Sequence, residues 1–148
     1  MNESIIVADP NNMEHVELFE DLKKNRISLS LKELENTDSN EIRKVLFEMA
    51  PTRVTKIAYI DGYTDNGQCN IYFYRYRFGS TYFLDQVVDY SFNNLGMKSV
   101  FFHVPNNRKI INHLLAKNYE LIGKVDTSND IIFMKDVEDK VKTRSRRR

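Results

Sequence analysis

The segment from Asn70 to Val104 constrains the fold of this chain more than any other part of the sequence. Asn70–Arg75 is rich in residues that favour strands, and Ser99–Val104 is an almost continuous apolar run. Between them, residues that recur at helical spacing form one buried helix face; they are Leu84, Val87, Val88, Ser91 and Leu95. Gly96 suits the C-terminal cap of this helix. A strand, a helix and a second strand in this order predict a parallel crossover unit, and therefore an α/β (α+β) fold.

The N-terminal half predicts two more helices and a hairpin. Ser4–Asp9 is a short β-branched run that predicts a first strand, and Asn12–Asn25 repeats its apolar residues at helical spacing. A second helix is predicted over Glu41–Met49, after a sequence that resembles a capping box and before a proline. Residues 54–76 are expected to form an antiparallel hairpin. The pattern of Arg26–Leu34 is compatible with either a strand or a helix.

The C-terminal part predicts a helix and a closing hairpin. The helix covers Arg108–Lys117, and the hairpin pairs Tyr119–Val125 with Asp130–Lys135. The whole chain therefore predicts a mixed central sheet of about six or seven strands flanked by about four helices. Residues 1–137 are expected to form a single domain, and residues 138–148 a basic, disordered tail.

Composition excludes several classes of protein. The chain is 41% hydrophobic and 29% charged, which is typical of a globular protein. No apolar run approaches the roughly 20 residues that span a bilayer, and no signal peptide is recognised at the N-terminus, so a cytoplasmic location is expected. Cys69 is the only cysteine. An intrachain disulfide and a cysteine-based metal site are thereby excluded, and Cys69 is expected to be a buried strand residue.

The charge is unevenly distributed along the chain. Residues 140–148 carry six Lys and Arg and no acid, which leaves the preceding residues with a net charge of −5. A basic tail of this kind can contact nucleic acid or an anionic membrane, or it can stay solvated.

Two further blocks of sequence stand out around the crossover unit. The turn into the crossover helix reads Arg75-Tyr76-Arg77-Phe78-Gly79-Ser80, and after Ser99–Val104 come Asn107, a short helix and Asn118-Tyr119. These blocks resemble the GNAT (GCN5-related N-acetyltransferase) family, which has Gln/Arg-x-x-Gly-x-Gly/Ala at the turn, and Asn, a helix and Gly-Phe after the strand. Arg75 and Ser80 match the turn pattern, whereas Phe78 stands at its first glycine.

The resemblance implies acetyl-coenzyme A as a cosubstrate, with no metal. It implies that the cofactor-binding residues are Tyr74, Arg75, Tyr76, Arg77, Phe78, Gly79, Ser80, Thr81 and Asn107. The residues themselves support an anion site, since backbone amides at a helix N-terminus beside arginines suit a diphosphate. His103 is the candidate general base. The position of the family's usual tyrosine acid is occupied by Leu114.

Three functions remain open at this point. The first is an N-acetyltransferase that transfers an acetyl group from acetyl-coenzyme A to an amine of a small molecule or protein. The second is a catalytically inactive GNAT-like binding module, which Leu114 and the imperfect turn favour. The third is a nucleic-acid-associated protein that uses the basic residues 140–148. A homodimer is open in each case.

Overall fold

The computed structural model describes residues 5–24, 29, 31, 34, 39–50, 52–78 and 81–137. Within these residues the chain forms one seven-stranded sheet and three helices. The strands are β1 (Ile6–Val7), β2 (Glu41–Met49), β3 (Val54–Tyr63), β4 (Gln68–Tyr74), β5 (Ser99–Val104), β6 (Glu120–Lys124) and β7 (Ile131–Asp136). The helices are α1 (Met13–Lys23), α2 (Tyr82–Asn93) and α3 (Arg108–Ala116).

The strand order in the sheet is β1-β2-β3-β4-β5-β7-β6. β4 and β5 are parallel and are connected through α2, so the predicted crossover unit is confirmed. All other neighbouring strands are antiparallel. The predicted hairpins and the predicted mixed sheet of six or seven strands are confirmed as well.

The predicted helix over Glu41–Met49 is wrong, because these residues form β2. Their apolar positions fit one face of a helix, but both faces of the observed strand are buried. Val45 and Phe47 pack on one side of the sheet, and Ile42 and Leu46 pack on the other. Pairing with β3 extends from Glu41 to Met49 and outweighs the local helical pattern. Three helices rather than four therefore flank the sheet in the described part of the chain.

The sheet separates two hydrophobic clusters. α1 covers one face at the β1–β3 end, where Phe19 and Leu22 pack against β2 and β3. α2 and α3 contribute Phe83, Leu84 and Leu114 to the larger cluster on the opposite face. No helix among the described residues is both long and apolar enough to cross a membrane. The limits of the domain and the tail stay predictions, since residues 138–148 lie outside the described part.

Gly62 lies on β3 at a position where a side chain would collide with β4. A Cβ atom at this position would lie 2.5 Å from the carbonyl oxygen of Gln68 and 2.6 Å from Cβ of Cys69. We therefore expect Gly62→Ala to destabilise the fold by about 2 kcal/mol in urea unfolding, because the two strands must move apart. Gly123→Ala is the matched control, since the nearest side-chain atom there lies 3.8 Å away. Equal losses in the two variants would contradict this explanation.

Candidate active site at the parted strands

β4 and β5 part before either strand ends. Their ladder runs from the pair Gln68–Ser99 to the pair Ile71–Phe102 and stops there. β4 continues to Tyr74 along β3, and β5 continues to Val104 along β7. The β5-facing backbone groups of residues 72–74 therefore form no ladder bonds. We call the place where this ladder ends the gap; its β4 side is an unpaired strand edge.

The turn after β4 adopts a conformation that is unusual for residues with side chains. Arg75 has a φ of 53° and Phe78 a φ of 56°, both in the left-handed region that favours glycine. Aromatic packing holds the turn, since the ring centroid of Tyr76 lies 4.2 Å from that of Phe78 and 5.4 Å from that of Phe83. Phe78 thus adopts the backbone conformation for which the family pattern has glycine.

Tyr76 also contacts the first turn of α2. Its hydroxyl oxygen accepts a hydrogen bond from the amide of Leu84 at 3.4 Å. Burial raises the pKa of Tyr76 above its usual range, so the hydroxyl stays protonated. One amide at the start of the helix is therefore already bonded by a side chain. The predicted site residues Gly79 and Ser80 lie outside the described residues.

A cleft of about 390 Å³ lies between the turn and the N-termini of α2 and α3. Its lining contains four of the predicted cofactor residues, namely Arg77, Phe78, Thr81 and Asn107. Lys109, Ile110 and His113 complete it from α3. Asn107 caps α3, because its side-chain oxygen accepts from the amides of Lys109 at 2.9 Å and Ile110 at 3.3 Å. The cleft combines positive charge with two helix N-termini, a combination that suits an anion.

A polar network holds α2 and α3 together behind this cleft. One carboxylate oxygen of Asp85 accepts from the hydroxyl of Tyr119 at 2.9 Å, and the other accepts from Lys117 and from the hydroxyl of Thr81. The Thr81 oxygen lies 2.9 Å from Nε2 of His113. Burial, and after it the charge of Asp85, raises the pKa of Tyr119. Tyr119 therefore stays a hydrogen-bond donor, and the network fixes the N-terminus of α2 against the C-terminal half of α3.

Arginines surround the outer side of the turn. Arg75 and Arg77 line two further clefts, of about 400 and 580 Å³, together with Lys56 in the first and Arg53 in the second. Nη1 of Arg75 donates to the carbonyl oxygen of Val54 at 3.1 Å, which directs this side chain toward β3. Arg77 borders all three clefts and is the basic residue that they share.

The other predicted positions are distributed over both faces of the sheet. His103 is exposed beside the gap, on the face opposite α2, and Tyr74 packs toward the α1 side. Leu114 is fully buried in the core. Cys69 is buried as expected, and burial raises the pKa of its thiol to about 11, so it is a poor nucleophile at neutral pH.

Two residues of the main cleft were not predicted as site residues. Lys109 and His113 are four residues apart on α3 and therefore share a helix face. Asn107 could have identified that face, because a helix cap fixes the residue at which the helix begins and therefore which side chains share each face.

This arrangement of strands and helices is the GNAT fold. The acetyltransferase of the GNAT family from Streptococcus pneumoniae is similar, with a TM-score of 0.56 and 10% identity over 90% of this chain and 100% of that chain. The N-acetyltransferase PseH from Campylobacter jejuni, in complex with acetyl coenzyme A, has a TM-score of 0.58 and 13% identity over 91% and 100%. A spermidine N-acetyltransferase SpeG mutant from Vibrio cholerae has a TM-score of 0.53 and 14% identity over 88% and 92%. No family model and no curated protein matches the sequence.

Proposed function

We propose that the protein is an acetyl-coenzyme A-dependent N-acetyltransferase that acts on an amine of a small molecule or a protein. The observation that carries this proposal is that the gap after the Ile71–Phe102 pair adjoins the turn whose residues line the basic cleft. A ligand with a diphosphate at one end and an amide-rich arm at the other needs these two features side by side.

The residues around the gap fit such a cosubstrate. Arg77 and Lys109 offer positive charge to the diphosphate, and the N-terminus of α2, which has no side-chain cap, offers backbone donors. The unpaired edge of residues 72–74 can hydrogen-bond the amides of the arm as an added strand would. The cosubstrate supplies the activated acetyl group as a thioester.

Transfer requires the acceptor amine to be neutral when it attacks. The new N–C bond forms as the C–S bond breaks, and the amine must lose a proton. His103 lies exposed beside the gap and is the group that can accept this proton, directly or through a water molecule. Leu114 cannot protonate the leaving thiolate, so water is the proton source in this proposal.

Thermal-shift titration with acetyl-coenzyme A and coenzyme A tests the proposal. We expect a melting temperature that rises with ligand concentration, on the order of 10 °C at a hundredfold excess over Kd, because the ligand binds only the folded state. Arg77→Ala is expected to weaken binding about 10- to 100-fold through loss of a charged hydrogen bond. Lys98→Ala removes a remote exposed charge and should leave the shift unchanged. ATP controls for general anion binding.

An inactive GNAT-like binding module is the second candidate. Two observations favour it, the fully buried Leu114 and the bond between Tyr76 and the amide of Leu84. This candidate predicts no shift at millimolar acetyl-coenzyme A. Nucleic-acid binding through residues 140–148 stays a sequence-based prediction, and deletion of these residues with a salt titration would test it.

A further inference from the structure

The sheet face opposite α2 and α3 carries aromatic and polar side chains beside the gap. The ring centroids of Tyr59 on β3 and Tyr72 on β4 lie 6.1 Å apart, with the rings at 26°. His103 is on the same face of β5, across the gap from Tyr72. An amine that approaches the gap from this face therefore meets an aromatic wall on one side and an imidazole on the other.

A cavity of about 440 Å³ lies next to this wall on the same face. Its polar lining has three side-chain amides and a single carboxylate, from Asn66, Gln68, Asn70 and Asp61, while Tyr63 and Phe101 add ring surface. Asp61 pairs with Asn70 across β3 and β4, and Asn70 pairs with Phe101 across β4 and β5. The cavity therefore extends across three strands. On β3 and β4, its residues Asp61 and Asn70 are two positions from Tyr59 and Tyr72 and lie on the same face.

The carboxylate of Asp61 is in register with Arg43 of β2, and the opposite charges of the two residues attract each other. Asp61 accepts no hydrogen bond and forms no close ion pair among the described residues. The guanidinium of Arg43 is bonded to Glu41, with Nε and Nη2 lying 3.0 and 2.8 Å from one oxygen of that residue. A partly buried carboxylate beside aromatic rings is a receptor for an organic cation.

We propose that this cavity binds the distal ammonium group of a diamine acceptor while the other amine reaches the gap. The proposal rests on the proposed function and specifies its substrate class. Tyr72 lies two residues beyond Asn70, about 7 Å along the strand, and Asp61 is one strand away, about 5 Å to the side. The distance from Tyr72 at the gap to Asp61 in the cavity therefore fits an aliphatic chain of four to six methylene groups between two amines.

Steady-state kinetics with 1,5-diaminopentane and pentylamine test this assignment. The two compounds share a five-carbon chain and differ in the second, positively charged amine. We expect kcat/KM to be at least tenfold higher for the diamine, and Asp61→Asn to abolish that preference while leaving pentylamine turnover and the acetyl-coenzyme A thermal shift unchanged. Asp65→Asn is the matched control, since Asp65 lies in the hairpin turn that follows β3, is exposed and accepts a hydrogen bond from Asn40. Equal turnover of both amines by the wild type, or the same loss in both variants, would overturn the assignment.

A direct binding measurement keeps this inference separate from the proposed function. Calorimetric titration with 1,5-diaminopentane in the absence of acetyl-coenzyme A should give a Kd at least tenfold lower than that for pentylamine, and Asp61→Asn should remove the difference. Failure of acetyl-coenzyme A to bind, combined with selective diamine binding, would contradict the proposed function and retain the cavity assignment. No diamine preference in either measurement would overturn the cavity assignment alone.

Discussion

Phe102→Ala is expected to lower the free energy of unfolding by about 3–5 kcal/mol, a large part of the stability of a domain of this size. Phe102 is 1% exposed and lies at the centre of the larger cluster. Its ring centroid lies 5.4 Å from that of Tyr119 and 6.1 Å from those of Phe73 and Phe133. Alanine would remove edge and stacking contacts to strands on both sides of the gap. Urea unfolding should show a lower midpoint at an unchanged slope.

Phe101→Ala is the control for this variant. Phe101 is the adjacent residue on β5, points to the opposite face and is only partly buried. We expect Phe101→Ala to lower the free energy of unfolding by about 1 kcal/mol, because the substitution removes less buried apolar surface than Phe102→Ala does. Similar losses for Phe101→Ala and Phe102→Ala would show that the cluster behind α2 does not carry the stability assigned to it.

Asp85→Ala should have the second largest effect, about 2–4 kcal/mol. The change leaves the buried hydroxyl of Tyr119 without its acceptor, and it also removes the acceptor of Thr81 and Lys117. The ion pair to Lys117 contributes little to this figure because both side chains are partly exposed. Urea unfolding measures the loss, and hydrogen exchange should accelerate at the amides of α3, which the network attaches to α2.

Asp89→Asn is the matched control, one helical turn further along α2. Partial burial, and after it the charge of Asp85, raises the pKa of Asp89. A carboxyl whose folded-state pKa is raised costs stability once it ionises, so this variant should be neutral or more stable than the wild type. Its advantage should grow as pH rises from the acid range to neutrality. A loss like that of Asp85→Ala would show that any charge removal on this helix is harmful.

Local sequence signals explain why much of the fold could be predicted. The face of α2 repeats at helical spacing, Asn107 caps α3, and Gly96 and Asn118 adopt left-handed conformations with φ of 70° and 69°. Each of these depends on neighbours within a few residues. β2 could not be identified in the same way, because its strand character comes from pairing with β1 and β3 and from burial of both faces.

In the candidate site, too, the residues set by local sequence could be predicted, and those set by tertiary contacts could not. Arg77, Thr81 and Asn107 follow directly from the turn and the helix start, and the structure places them around one cleft. The side chain of Tyr76 packs into the aromatic cluster, a contact that no spacing rule gives. The Asp61 cavity depends on the register of three strands, which joins residues 61, 70 and 101. The register between residues so far apart in the sequence is set by the assembled sheet.

Only four register pairs join the antiparallel strands β1–β4 to the β5–β7–β6 group. The hairpins β2–β3, β3–β4 and β6–β7 join residues close in sequence and can form early, whereas the β4–β5 seam can close only after α2 has crossed the sheet. A ligand that binds at this seam therefore has no binding site until folding is almost complete. Occupancy should therefore slow unfolding and leave the rate of folding unchanged, so that the liganded protein is kinetically long-lived.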